Sequence, residues 1–225
     1  MNILKNNRSK TGVAAVITAG GTSNRFGSNK LLENLANGES VICTTIKKFI
    51  PLCGTVVIPC RADVQEHIKS CFKNDLEKII FAPFGDTRQK SVFSGLSTLA
   101  AIENRPKTVL IHDGARPFVE ADTIKETVEK LKIYKGVCVG IYATDTIKIA
   151  DKDGNILKTI DRTSVFQAQT PQGFDFNTIF EAHKKLKDEN FTDDCCLLET
   201  LNIPVYALTG TLSNKKITFR EDINF

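Results

Sequence analysis

The sequence predicts an α/β protein: a mostly parallel sheet with helices on both faces and a projecting β-arm. Three observations carry that expectation. Short β-branched runs alternate with amphipathic stretches along most of the chain. Those runs are apolar almost throughout, as strands covered on both faces must be. The alternation breaks once, after Ala143, where two short runs flank the turn signal Lys152-Asp153-Gly154-Asn155. The whole chain, 1–225, is read as a single domain with its arm at about 144–164.

Taken in order, Val13 to Thr18 is the first buried strand, followed by a polar, glycine-containing loop. Val41 to Phe49 places Ile42, Ile46 and Phe49 at helical spacing. Thr55 to Cys60 is a strand, Ala62 to Phe72 a helix and KIIFA a third strand. Arg88 to Ala101 sets Val92, Leu96 and Leu99 on one helical face. Thr108 to Asp113 is the fourth strand, and ADTIKETVEKLKIY a helix with its N-cap at Asp122 or the residue before it. GVCVGIYA is the fifth strand. The hairpin follows, then helical patterns over Phe176 to Lys187 and Asp193 to Leu201, a strand at IPVYAL and a short one at NKKIT.

Composition narrows the class. With 41% hydrophobic and 25% charged residues and a net charge of +4, the chain is an ordinary soluble protein. That charge suits small anionic metabolites and falls short of the clustered basic footprint of a nucleic-acid binder. Seven cysteines, odd in number and without a C-x-x-C pair, read as reduced thiols, with neither a disulfide framework nor a zinc site. The polar start MNILKNNRSK lacks a signal-peptide core. No apolar run nears the ~18 residues that would span a membrane. A cytoplasmic protein with neither nucleic-acid nor membrane partners is expected.

In open α/β sheets ligands bind beyond the carboxyl ends of the strands, so the residues after each strand carry the chemistry. After the first comes Thr18-Ala19-Gly20-Gly21-Thr22-Ser23-Asn24-Arg25-Phe26-Gly27-Ser28-Asn29-Lys30. Its glycines let backbone N–H groups approach oxyanions, and Arg25 and Lys30 add fixed positive charge, the requirements of a triphosphate cradle. The spacing fits neither the dinucleotide fingerprint nor the P-loop, whose lysine precedes Ser or Thr. A merely polar surface loop is the alternative. Gly85 to Ser91 opens a helix, a place for an anion or a base edge, or for Asp86 as a simple cap. Asp113, closing the fourth strand, is placed to meet a Mg²⁺–triphosphate or a ribose hydroxyl, with Arg116 as a pairing or anion-binding partner. His112, alternating with Asp113, is expected to pack in the core. Asp161-Arg162-Thr163, Gln169 to Gln172, Thr192 to Asp194 and Asn214 to Thr218 are weaker signals, each explicable as surface charge or capping.

In this order TAGGTSNRFG, GDTRQKSV, HDGARP, DTIK, AQTPQGF, TDD and NKKIT resemble the 2-C-methyl-D-erythritol 4-phosphate cytidylyltransferase family over Val13 to Asp222. The resemblance implies a nucleotidyltransferase (Rossmann-like) sandwich, a homodimer joined through the β-arms, and reaction of CTP, with Mg²⁺ or another divalent cation, with methylerythritol phosphate. It further implies that Arg25, Lys30, Arg162 and Lys216 are catalytic. Ala19, Gly20, Gly21, Thr22, Ser23, Gly85, Asp86, Ser91, Asp113 and Ala115 would bind nucleotide. Asp113, Arg116, Thr146, Arg162, Thr170 and Lys216 would position the alcohol phosphate, with Thr146 and Arg162 reaching across from the partner's arm. The chain departs from the pattern at Ser23, where the family usually has glycine, and around Lys30, set between Asn29 and Leu31 where the family usually has Pro and Gln. The rivals are a ribitol or ribulose 5-phosphate cytidylyltransferase and a non-catalytic nucleotide-binding regulator. The regulator predicts loss of the basic pair or of Asp113, and all are present.

Overall fold

The computed structural model describes residues 12–21, 26 and 29–224. Its elements run β1 (Val13–Thr18), α1 (Val41–Phe49), β2 (Thr55–Pro59), α2 (Ala62–Cys71), β3 (Ile79–Ala82), α3 (Arg88–Ala100), β4 (Thr108–Asp113), α4 (Ala121–Lys130), β5 (Gly136–Tyr142), β6 (Ile147–Ala150), β7 (Ile156–Ile160), β8 (Phe166–Asp175), α5 (Phe176–Lys185), α6 (Cys195–Thr200) and β9 (Val205–Thr209). Seven strands form one sheet in the order β3-β2-β1-β4-β8-β5-β9. All are parallel except β8, which runs antiparallel to both neighbours, β4 and β5. β6 and β7 make a separate antiparallel pair.

Both faces of the sheet are covered, which explains why strands β1 to β5 are apolar with little alternation. On one side Ala15 and Ile17 of β1, Val56 and Ile58 of β2 and Leu110 of β4 pack with Ile42, Ile46 and Phe49 of α1, Ile68 of α2 and Ile124 of α4. On the other, Val16, Val57, Val109 and Ile111 meet Val92, Leu96 and Leu99 of α3, Ile179 of α5 and Leu197 and Leu198 of α6. Each large side chain so buried contributes about 1.5–3 kcal/mol. Helix ends follow local chemistry: Ser40 accepts from Cys43 N–H to cap α1, and Asp175 accepts from Thr178 N–H to cap α5. Between β6 and β7 the chain reverses through Gly154 at φ 88°, a conformation glycine adopts without steric cost.

Four expectations need correction. β8 is a strand that the sequence pattern does not announce, because Pro171, Gly173 and polar Gln and Thr residues disguise it. Proline is tolerated in this central strand because the register to β4 ends at Gln172 and that to β5 shifts between Cys138 and Gly140, so Pro171 falls at an interruption of both ladders. NKKIT forms no strand. The N-cap of α4 is Glu120, with Asp122 inside the first turn. Finally, α5 stops at Lys185 and α6 spans only Cys195–Thr200, each shorter than its apolar pattern.

Candidate active site

At the carboxyl ends of β1, β3 and β4 lies a cleft of about 430 Å³. Thr18, Gly20 and Gly21 form one wall, Gly85 to Arg88 and Ser91 a second, and Asp113 to Ala115 the floor. Lys30, Lys216 and Thr218 close it. The chain thus brings together motifs nearly two hundred residues apart because parallel strands deliver all their carboxyl ends to one edge.

The second wall is built by a helix start. Thr87 caps α3 by accepting from Lys90 N–H, and Ser91 Oγ accepts from Gly85 N–H at 3.0 Å. A Cβ at Gly85 would lie 2.4 Å from Lys90 Cβ and 3.0 Å from Ser91 N, so only glycine lets this turn close against its helix. The cap is therefore Thr87; Asp86 pairs with Lys90 at 2.9 Å on the cleft rim.

The floor is electrostatic. Asp113 is buried, with Oδ1 accepting from Arg88 Nε at 3.2 Å and Oδ2 from Lys216 Nζ at 2.8 Å; Arg116 Nε lies 3.6 Å from Oδ2. Burial works against this carboxylate, but Arg88, Lys216 and Arg116 outweigh it and hold its pKa well below the usual range. Arg88 also donates to Asp194 Oδ2 at 2.6 Å, and the two carboxylates outweigh the burial of its guanidinium, raising its pKa. Asp194 Oδ1 in turn meets His183 Nε2 at 3.1 Å.

Behind the floor the proton positions can be deduced. Arg116 O only accepts, so His112 Nε2, 3.1 Å away, carries the hydrogen. Burial lowers the His112 pKa to about 4, so the ring is neutral and its Nδ1 is an acceptor. Thr170 Oγ1 therefore donates to Nδ1 at 3.0 Å and accepts from Asp113 N–H at 3.1 Å. A continuous chain of bonds from Asp113 through Thr170 and His112 to Arg116 fixes the turn that presents Asp113.

Of the residues expected at the site, Gly20, Gly21, Lys30, Gly85, Asp86, Ser91, Asp113, Ala115 and Lys216 line the cleft. Lys30 Nζ is bonded to Ile217 O at 2.7 Å. Ala19 is buried behind the wall, its N–H donated to Pro59 O. Arg116 and Thr170 support Asp113 from behind; Arg116 Nη1 is committed to Asn214 O at 2.8 Å. Thr146 is exposed before β6, and Arg162 is exposed after β7, donating to Thr144 O; neither lines the cleft. Thr22, Ser23 and Arg25 lie outside the described residues.

Asp113 also does not suit a protein-held Mg²⁺. Both its oxygens already accept from cations, and a dication there would face Arg88, Arg116 and Lys216. In this arrangement Asp113 is an anchor for three cations. Two residues with no assigned role, Arg88 and Asp194, turn out to be central. Both stood in quoted motifs, but their pairing spans 106 positions and no local spacing announces it.

Among the described lining residues no side chain is an activated nucleophile. Ser91 is tied to Gly85 and Thr87, and Thr87 is a helix cap. Neutral His112 has both nitrogens engaged. What remains is an anion cradle of glycine backbone, a helix start and ordered ammonium groups, which favours transfer by positioning and charge stabilisation.

A doubly covered α/β sheet with an anion cradle at its carboxyl edge is the arrangement of a nucleotide-handling protein, and comparison with known proteins makes it a nucleotidyltransferase. The model of the 2-C-methyl-D-erythritol 4-phosphate cytidylyltransferase family matches residues 13–225, and the chain belongs to that family. The cytidylyltransferase of that name from Dictyoglomus thermophilum is 37% identical over 219 residues, covering 94% of this chain and 93% of that one. The bifunctional enzyme IspD/IspF of Brucella anthropi is 35% identical over 94% of this chain, which spans only 53% of its length. The crystal structure of 4-diphosphocytidyl-2C-methyl-D-erythritol synthase from Anaerococcus prevotii superposes with a TM-score of 0.80 at 30% identity, covering 94% of this chain and 92% of that one.

Proposed function

We propose that this protein transfers CMP from CTP to 2-C-methyl-D-erythritol 4-phosphate in non-mevalonate isoprenoid synthesis, releasing pyrophosphate and forming 4-diphosphocytidyl-2-C-methyl-D-erythritol. Family membership supplies the substrates, and the observation that carries the chemistry is Asp113 holding Lys216, Arg88 and Arg116 at the floor of a glycine-walled cleft. An oxygen of the substrate phosphate attacks the α-phosphorus in line, and the bond to the β-phosphate oxygen breaks with its electron pair leaving on pyrophosphate. Both reactants are anions, so Lys30, Lys216 and, in this reading, Arg25 lower the barrier by cancelling repulsion and meeting charge that grows on the leaving group. The expected Mg²⁺ or other divalent cation would come with the nucleotide and offset charge on the triphosphate. Gly85, Asp86 and Ser91 are assigned to the cytosine.

The same reading takes the chain as one nucleotidyltransferase domain acting in the cytoplasm. It makes β6–β7 an arm that joins two copies and brings the partner's Thr146 and Arg162 to the cleft. In support, both residues are exposed away from the chain's own cleft, and the hairpin exposes Ile149, Ile156 and Leu157. The deciding assay supplies CTP and Mg²⁺ with methylerythritol phosphate or ribitol 5-phosphate and follows pyrophosphate. Release with neither rejects the reading, and release with the pentitol alone transfers the function to that rival. Sedimentation of the chain and of Ile156→Asp tests the arm: a monomeric wild type removes it.

A further inference from the structure

Cys43 of α1 and His67 and Cys71 of α2 lie outside the cleft, and their grouping runs against the expectation that the cysteines make no zinc site. Their ligand atoms all lie within 4.8 Å of one another, between two helices on one face of the sheet. His67 and Cys71 stand four apart and so share a helix face, with Cys71 Sγ 3.7 Å from His67 Nε2. Cys43 reaches them because α1 packs on α2. We propose that Cys43, His67 and Cys71 form a binding site for a thiophilic cation of the zinc class, bridging α1 and α2.

The donor set supports that chemistry. Two thiolates and an imidazole are soft and borderline ligands, the combination that selects zinc over magnesium or calcium. Two thiolates also neutralise the dication. Cys43 is buried and Cys71 exposed, so the site has a sheltered side and a path of entry that leaves a fourth position for solvent. Ser40 organises it: its hydroxyl accepts from Cys43 N–H and lies 2.8 Å from His67 Nε2. A bond from that hydroxyl would occupy the single Nε2 lone pair, so metal binding replaces the Ser40–Nε2 contact while Ser40 keeps its bond from Cys43 N–H. Binding displaces thiol protons to solvent. The other cluster, Cys138, Asp193 and Cys195, is weaker: both thiols are buried, and the Asp193 carboxylate already accepts from Gln172 and Cys196 N–H.

Occupancy would bear on the cleft through the frame of Lys30. Leu31 O accepts from Ile42 N–H of α1, and Asn29 Nδ2 donates to Asp63 of α2, so both clamped helices hold the segment that carries Lys30.

The full chain, reduced and stripped with a chelator, is titrated with Zn²⁺ against a chromophoric chelator and with Co²⁺ as a spectroscopic probe. One Zn²⁺ per chain, thiolate-to-cobalt charge-transfer bands and a raised melting temperature are expected. Cys71→Ser and His67→Ala, both at accessible positions, should each weaken Zn²⁺ binding by at least about 10–100-fold, since losing a ligand costs no less than losing a group that orients one. Circular dichroism confirms that the variants fold, and Cys196→Ser should bind as wild type. Binding that survives both substitutions, or that is lost instead in Cys195→Ala, overturns the proposal. So does a protein that binds no Zn²⁺ when reduced but cross-links Cys43 to Cys71 on oxidation, which would make the pair a redox couple.

Discussion

Replacing Arg88 with Met keeps the length of the side chain and removes the charge that joins Asp113 to Asp194. The wild-type guanidinium spans the two carboxylates at 3.2 and 2.6 Å, and its side chain is only 28% exposed, so water does little to replace it. Breaking a buried ion pair by deleting one partner costs about 3–5 kcal/mol. Here Asp113 retains Lys216 and Arg116, and Asp194 retains His183, which argues for the lower end, about 3 kcal/mol. For a chain of this size, where each kcal/mol moves the midpoint by about 2–4 °C, that is a fall in Tm of ~6–12 °C. The loss has a pH signature. Burial opposes the Asp194 carboxylate, and Arg88 leads the groups that nonetheless keep its pKa below the ordinary value of 3.8. In wild type that stabilisation is present above 3.8 and lost as the pH falls below it. In the variant the folded pKa rises, and the penalty is greatest at neutral pH. The gap between the two proteins therefore closes on acidification. Arg88→Lys, one point charge in place of a fork, should fall between them. Calorimetry across pH, with pyrophosphate release on the folded variants, makes the measurement. An Arg88→Met protein melting within ~2 °C of wild type at neutral pH, with unchanged turnover, would refute the argument.

Lys30→Ala should reduce turnover by ~10²–10³-fold, the scale of removing one donor to a transition-state anion, with wild-type turnover as the disproof. Thr170→Val preserves shape but strands the buried Asp113 N–H and His112 Nδ1, at a cost of about 1–3 kcal/mol for each group left unsatisfied, read from urea midpoints; an unchanged midpoint would break the proton chain deduced for the floor. His112 is buried and neutral, with its pKa lowered from 6.5 to about 4, so its contribution is complete above 6.5 and is lost as the pH falls from there toward 4. The urea midpoint should accordingly drop between about pH 6.5 and about pH 4, and a flat midpoint across that range would contradict it.

The parallel half of the fold was legible because its strands and helices repeat a burial pattern that sequence records directly. Val13–Thr18, Val41–Phe49 and Thr108–Asp113 fall where their periodicity puts them. β8 was hidden because its structure is imposed by two neighbours: Gly173 and Phe174 pair with Leu110 and Val109 on one side and with Val137 and Gly136 on the other. Its polar residues, in turn, are spent on bonds such as Gln172 Nε2 to Asp193 and Thr170 to His112. The site divides in the same way. Gly85, Asp113 and Lys216 follow strands or sit in recognisable motifs, whereas the role of Arg88 depends on two carboxylates that only the folded sheet brings to it.

The placement of β8 also bears on synthesis. The first half of the chain emerges from the ribosome with β3, β2, β1 and β4 already able to pair through short crossovers, and with Gly20, Gly85 and Asp113 on board. Until the strand from Phe166 arrives to close the seam, however, Asp113 lacks Thr170, Arg88 lacks Asp194, and Lys216 has not been made. A nascent or half-folded chain therefore carries the glycine loops of the cleft without its charged floor, and the floor is completed only when residues through Lys216 have been made.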